Sequence, residues 1–210
     1  MFDVRKMQEH AIYEAVRIVS DDATAKQVVY GDGEDAEKKE NAVWVDAAME
    51  RLEKKFAPET TKLIRMRCQC GYGMDEKLAL LQDLIASSTN MEEFANSEKA
   101  RAAGLFYQNG ELFLQFFFCP CPMVAEIERL KTNTWCQCTT GYSKTLFQKA
   151  FHCEVDVELL KSIKTGDDIC LMKIIPHGQI WYVNEMPSTK NCQQIICWQN
   201  EFYNPIFSPQ

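Results

Sequence analysis

Leu105-Phe106-Tyr107-Gln108-Asn109-Gly110-Glu111-Leu112-Phe113-Leu114-Gln115-Phe116-Phe117-Phe118 is the stretch whose reading decides the fold. Asn-Gly between two apolar runs signals a hairpin, because both central positions of a tight turn need positive φ. The second arm, Leu112 to Phe118, is apolar at successive positions, as a central strand covered on both sides would be. Pro120 and Pro122 then stop its pairing.

Working outward toward the C-terminus, a short helix is expected near 123–130. Tyr142, Leu146 and Ala150 recur at helical spacing, so a second helix should end near Phe151. Val155 and Val157 alternate as a strand would, Gly166-Asp167-Asp168 reads as a turn, and Ile169 to Ile175 reads as a strand closed by Pro176. Toward the N-terminus, residues 3–19 carry a helical stripe that includes Met7, Ile12 and Val16. Gly31-Asp32-Gly33 breaks the chain, and 34–56 reads as a charged surface helix with Val43, Val45, Ala48 and Leu52 on its apolar side. Pro58 permits a helix through about Arg65, and Asp75 is a fair N-cap for a helix to Ser87. The expectation is one α+β domain over 1–176, helices packed on an antiparallel sheet, with 1–67 as a helical N-terminal part. Residues 177–210 read as an irregular arm docked on it.

The chain has 210 residues, 46% of them apolar, and a net charge of −7. No basic stripe is present, which argues against a nucleic-acid partner. No apolar run approaches the roughly 20 residues of a membrane helix, and Met1 to His10 is polar, unlike a secretory signal. These features lead to the expectation of a cytoplasmic protein with a small-molecule ligand or substrate, no membrane partner, and a homodimer left open.

Three Cys-x-Cys pairs use six of the ten cysteines: Cys68/Cys70, Cys119/Cys121 and Cys136/Cys138. In a reducing compartment such residues read as thiols or metal ligands rather than structural disulfides. One cysteine taken alone is more often a small buried hydrophobe. Three pairs in one chain make a metal or reactive-thiol site a reading of equal weight. The candidate site is therefore these six residues with the aromatics beside them, Tyr72, Tyr142 and Trp135. On a strand the two sulfurs of a pair share a face, whereas in mid-helix they stand about 200° apart. Cys136 and Cys138 can point together only if the helix starts after them, which Thr139 or Thr140 as N-cap would allow. The three histidines, His10, His152 and His177, sit in unrelated contexts. No GxGxxG, phosphate loop or nucleophile elbow is present.

From Trp135 onward, Cys136, the Gly141-Tyr142 step, the helix, Val155-Asp156-Val157-Glu158, Ser162, Gly166 and Cys170 follow one another with a familiar spacing. Residues 135–175 resemble the C-terminal half of the 4-vinyl reductase domain, which has the fold shared by nitric-oxide-signalling and Golgi-transport ligand-binding proteins. The thiazoline-carboxylate hydrolase family is similar. The triple Cys-x-Cys arrangement also resembles a bacterial family carrying the same pairs. The resemblance implies a ligand-binding α/β module in which zinc is held by three cysteines and a glutamate. By spacing, the first cysteine falls on Cys136 and the last on Cys170, while the middle one falls on Ser162 and the glutamate on Leu159, next to Glu158. Two ligands are thus missing, and Cys138 or another pair would have to replace them.

Two functions follow. One is a sensor-like binding domain with a cysteine-rich site, its metal set drawn from Cys136, Cys138, Cys119, Cys121 and Cys170, with zinc ahead of an iron–sulfur cluster. The other is a small hydrolase that uses a Cys thiolate or a bound metal on a sulfur- or nitrogen-containing substrate.

Overall fold

The computed structural model describes residues 3–31, 40–119 and 121–181. Eight helices and four strands follow in the order α1 (Val4–Val19), α2 (Asp22–Tyr30), α3 (Asn41–Lys55), α4 (Pro58–Arg67), α5 (Met74–Ala86), α6 (Met91–Asn96), α7 (Glu98–Ala102), β1 (Leu105–Gln108), β2 (Glu111–Phe116), α8 (Gln137–Phe151), β3 (Val155–Lys161) and β4 (Cys170–Pro176). Among the described residues no helix is long and apolar enough to cross a membrane.

Local chemistry sets the breaks. Asp21 accepts a hydrogen bond from the Thr24 amide and caps α2, with only Ser20 and Asp21 between the end of α1 and the start of α2. That break had no counterpart in the sequence reading, which placed the first one at Gly31. Pro58 occupies the first turn of α4, where its missing N–H costs nothing. Gly73, in the left-handed region, starts α5, so Asp75 lies inside the first turn and is not the cap.

The hairpin forms as expected, with Asn109 at φ 54° and Gly110 at φ 82° and Gln108 paired to Glu111. The sheet is antiparallel throughout, in the order β1-β2-β4-β3, which makes β2 an inner strand. Among the described residues it is covered on one face and not on both. Leu112 and Leu114 are buried, while Phe113 is half-buried and stacks on Phe106 at 5.0 Å. The strand ends at Phe116, and Phe117 and Phe118 are 72% and 67% exposed.

Two cores result. The sheet's inner face packs Leu105, Leu112, Val157, Met172 and Ile174 against Leu146, Phe147 and Phe151 of α8 and Phe94 of α6. A second core joins α1 to α4 with the segment 123–135 through Ile12, Val16, Trp44, Leu52, Ile64, Val124 and Trp135. In α3 the buried side is Trp44, Val45, Ala48, Met49 and Leu52, whereas Val43 is 51% exposed. A Trp-Val-x-x-Ala-Met stripe fits the 3.6-residue period better than one started at Val43, and it makes α3 a core helix, not a surface one. The helix expected near 123–130 is reduced to a single 3-10 turn, Pro122–Val124. Most of the expected arm lies outside the described residues. Its first part docks through Trp181, whose indole N–H donates to the Ile85 carbonyl at 3.2 Å.

Candidate thiol site

The sheet topology brings distant cysteines to one place. Cys170 opens β4 opposite Phe116, the last residue of β2, and Cys119 and Cys121 follow β2 after three and five residues. Cys136 is the N-cap of α8, which packs on β3 and β4. Cys119, Cys121 and Cys170 thus lie within electrostatic reach of Cys136.

The loop between β3 and β4 closes over this group. Ser162 Oγ lies 3.3 Å from Cys136 Sγ. The Ile163 amide donates to Cys170 Sγ at 3.5 Å. Asp167 holds the loop by accepting from the Ser162 amide at 2.8 Å. On the other side, the indole N–H of Trp135 donates to Cys121 Sγ at 3.4 Å. Three of these sulfurs, of Cys121, Cys136 and Cys170, therefore have a hydrogen-bonding group directed at them.

Burial works against that arrangement. It pushes the Cys136 thiol up to about 11, the neighbouring thiols adding to the effect, and it also raises Cys119. These two are protonated at neutral pH. With the side chains oriented this way, no three His, Cys, Asp or Glu among the described residues are arranged to hold a metal ion.

Cys138 faces elsewhere. The helix begins at Gln137 rather than at Thr139 or Thr140, so Cys138 falls inside the first turn, about 200° around from its partner. Burial pushes the Cys138 thiol up to about 12, and Arg65, Cys121, Cys136 and Cys68 all lie within electrostatic reach of it. Cys68 is fully buried at the C-cap of α4 and donates its thiol to the Ile64 carbonyl at 3.2 Å. Cys70 and Tyr72 are exposed, the latter 83%. The Tyr142 hydroxyl donates to the Tyr72 carbonyl at 3.0 Å, so this pair links two segments at the surface. The described residues thus divide the nine candidates. Cys119, Cys121 and Cys136 join Cys170, with Trp135 as a donor. Cys138, half-buried, lies between this group and the buried Cys68, and Cys70, Tyr72 and Tyr142 stand apart.

Two residues of this region were not read from the sequence. Arg65 is 0% exposed, with its guanidinium 4.3 Å over the Trp135 ring, donating to the Trp135 carbonyl at 3.0 Å and to Gln8 Oε1 at 3.3 Å. Its signal was present, since Thr61, Ile64, Arg65 and Cys68 follow helical spacing on one face. Lys164 is 8% exposed and donates to the Ile127 carbonyl at 2.6 Å. A lysine in a loop of Lys, Thr and Gly carries no such signal. A cleft of about 50 Å³ lined by Glu50, Glu53, Lys131 and Trp135 lies nearby, well under the few hundred Å³ of a small-molecule pocket.

The chain belongs to a family of unknown function, DUF6144, whose model matches residues 1–181. No curated protein and no solved structure matches it.

Proposed function

We propose that this chain is a binding module whose site is Cys119, Cys121, Cys136 and Cys170 and whose ligand is a soft metal ion, zinc ahead of an iron–sulfur cluster. The observation that carries the reading is the hydrogen bonding of the sulfurs. An indole N–H, a backbone amide and a serine hydroxyl address the sulfurs of Cys121, Cys170 and Cys136. Such donors favour charge on sulfur and hold ligands in place, as the outer shell of a metal site does. A soft cation there would offset the burial that holds Cys119 and Cys136 as thiols. Binding requires the side chains to turn from their present hydrogen bonds toward one centre, with sulfurs about 2.3 Å from the ion.

The resemblance to the 4-vinyl reductase fold is supported by the same place. Cys136, Ser162 and Cys170, matched by spacing alone, adjoin one another, and Cys119 and Cys121 stand in for the missing donors. Glu158 is exposed on β3 and takes no part. A reducing cytoplasm would keep these residues as thiols. The hydrolase reading has less support, since the hydrogen-bond partners of the four sulfurs include no histidine or carboxylate to act as base, and thiols pushed up by burial are poor nucleophiles.

The test is elemental analysis of the full chain purified under reducing conditions, with and without Cys136→Ser. The reading expects about one zinc per chain in the wild type, lost in the variant together with stability, because metal binding there becomes folding energy. A wild type that takes up no zinc even when it is supplied in excess would overturn it.

A further inference from the structure

The outer face of the sheet is divided lengthwise. The strand registers set Phe106, Phe113, Lys173 and Glu158 in one row across β1, β2, β4 and β3, with Leu171 and Ile175 on the same face two residues either side of Lys173. Phe106 and Phe113 stack, and Lys173 forms an ion pair with Glu111. The β1–β2 half is thus aromatic, and β3 carries the acidic Asp156 and Glu158 along the far edge. Phe106, Phe113, Leu171 and Ile175 are only half-buried and belong to neither core.

That division argues against a second copy as the cover. Face to face about a two-fold axis across the strands, β4 would lie on β4 and β3 on β3, so like charges would meet, Lys173 on Lys173 and Glu158 on Glu158. An axis along the strands can join the aromatic halves only by leaving β4 and β3 uncovered. The overlap is then two short strands, far below the ~1,200 Å² that a stable interface buries.

The chain itself holds a better match. Residues 182–210 include Ile195, Ile196, Trp198, Phe202, Tyr203 and Phe207, and only Glu185, Lys190 and Glu201 are charged. A composition so aromatic and so poor in charge favours burial over solvation. The described part ends at Trp181, which packs edge-on against Phe94 of α6 with ring centroids 6.0 Å apart. In turn α6 packs on β1, the edge strand that carries Phe106. The chain therefore leaves the described part beside the edge that bounds the aromatic half. The residues between Trp181 and Ile195 can span up to roughly 45 Å, and four strands are about 15 Å across. A tethered segment also acts at an effective concentration of about millimolar, which favours it over a free partner.

We propose that residues 195–207 return around the β1 edge and cover the aromatic half of the sheet's outer face. The contact is intramolecular and does not depend on the metal reading.

The experiment is limited chymotrypsin digestion of the reduced full-length chain, with cleavage sites identified by mass spectrometry, in wild type, Phe113→Glu and Trp198→Glu, and sedimentation of each. The proposal expects a monomer whose sites at Phe202, Tyr203 and Phe207 are protected. Cleavage there should be at least about 10-fold faster in both variants, because it tracks the fraction of chains undocked. The buried Phe147 and Phe151 should stay uncut in all three, which separates undocking from unfolding. Wild-type cleavage at the three sites as fast as in the variants would overturn the proposal. So would protection that survives Phe113→Glu, which would put the segment elsewhere. Protection confined to a dimer that Phe113→Glu dissociates would make a second copy the occupant and overturn it as well. If Phe113→Glu exposes Phe147 and Phe151 and so does not fold, Phe106→Ser on the edge strand takes its place and is judged by the same outcomes.

Discussion

The segments Cys68–Tyr72 and Cys136–Tyr142 carry the same ingredients, a Cys-x-Cys pair and a Gly-Tyr step, and they lie against each other, yet they do different work. In the first, a helix is ending. Cys68 caps α4 inside the core, Cys70 reaches solvent, and Gly71 turns the chain at φ 67° with nothing within 4 Å of where a Cβ would stand. In the second, a helix is starting. Cys136 caps α8 toward the thiol group, and Gly141 lies in mid-helix where a Cβ would come within 1.9 Å of the Met66 carbonyl oxygen. One glycine serves backbone conformation and the other permits α4 and α8 to touch. The difference teaches that cysteine function here depends on which end of a helix holds the pair, because that sets whether the two sulfurs meet neighbours or water.

The contrast breaks most visibly at the glycines. Gly141→Ala should cost about 3 kcal/mol or more, because the clash is with backbone that cannot give way without parting α4 from α8. Gly71→Ala should cost only about 1 kcal/mol, the strain of a left-handed residue. Urea denaturation of the two variants measures both, and similar losses would mean that the helices do not approach as described.

The cysteines of the first pair sharpen it next. Cys68→Ser places a more polar group in a fully buried site and should cost about 1–3 kcal/mol. Cys70→Ser, at the exposed position, should change stability by less than about 0.5 kcal/mol. Thermal unfolding of the reduced proteins distinguishes them. The smallest effect is at the contact itself. Tyr142→Phe removes one hydrogen bond, to the Tyr72 carbonyl, and should cost about 1 kcal/mol or less. Burial pushes the Tyr142 phenol up to about 12, so this contribution should hold unchanged across neutral pH.

The hairpin could be read from sequence because its cause is local: two adjacent residues that tolerate positive φ. The same holds for Pro58 and for the end of α8 at Phe151. Features that depend on distant partners were less legible. Whether β2 is covered on one face or two is decided by what packs there, and six apolar letters in seven do not say. The start of α8 was misplaced by two or three residues, and at a Cys-x-Cys pair that error is enough to turn Cys138 from the thiol group toward Arg65. Cys170 was assigned to the site only through a resemblance. Its place beside Cys136 comes from the β2–β4 register, which no spacing along the chain contains. Arg65 went unnoticed because a charged residue on a helix is ordinarily solvated, and only the surrounding core shows that this one is not.

The most direct test is a cobalt(II) titration of the fully reduced full-length chain, followed by thiolate-to-cobalt charge-transfer absorption, in wild type, Cys136→Ser and Cys70→Ser. The account predicts absorption that saturates at about one equivalent in the wild type, persists in Cys70→Ser and is lost or shifted in Cys136→Ser. Absence of that absorption in the wild type, or its survival unchanged in Cys136→Ser, would contradict the assignment of this site.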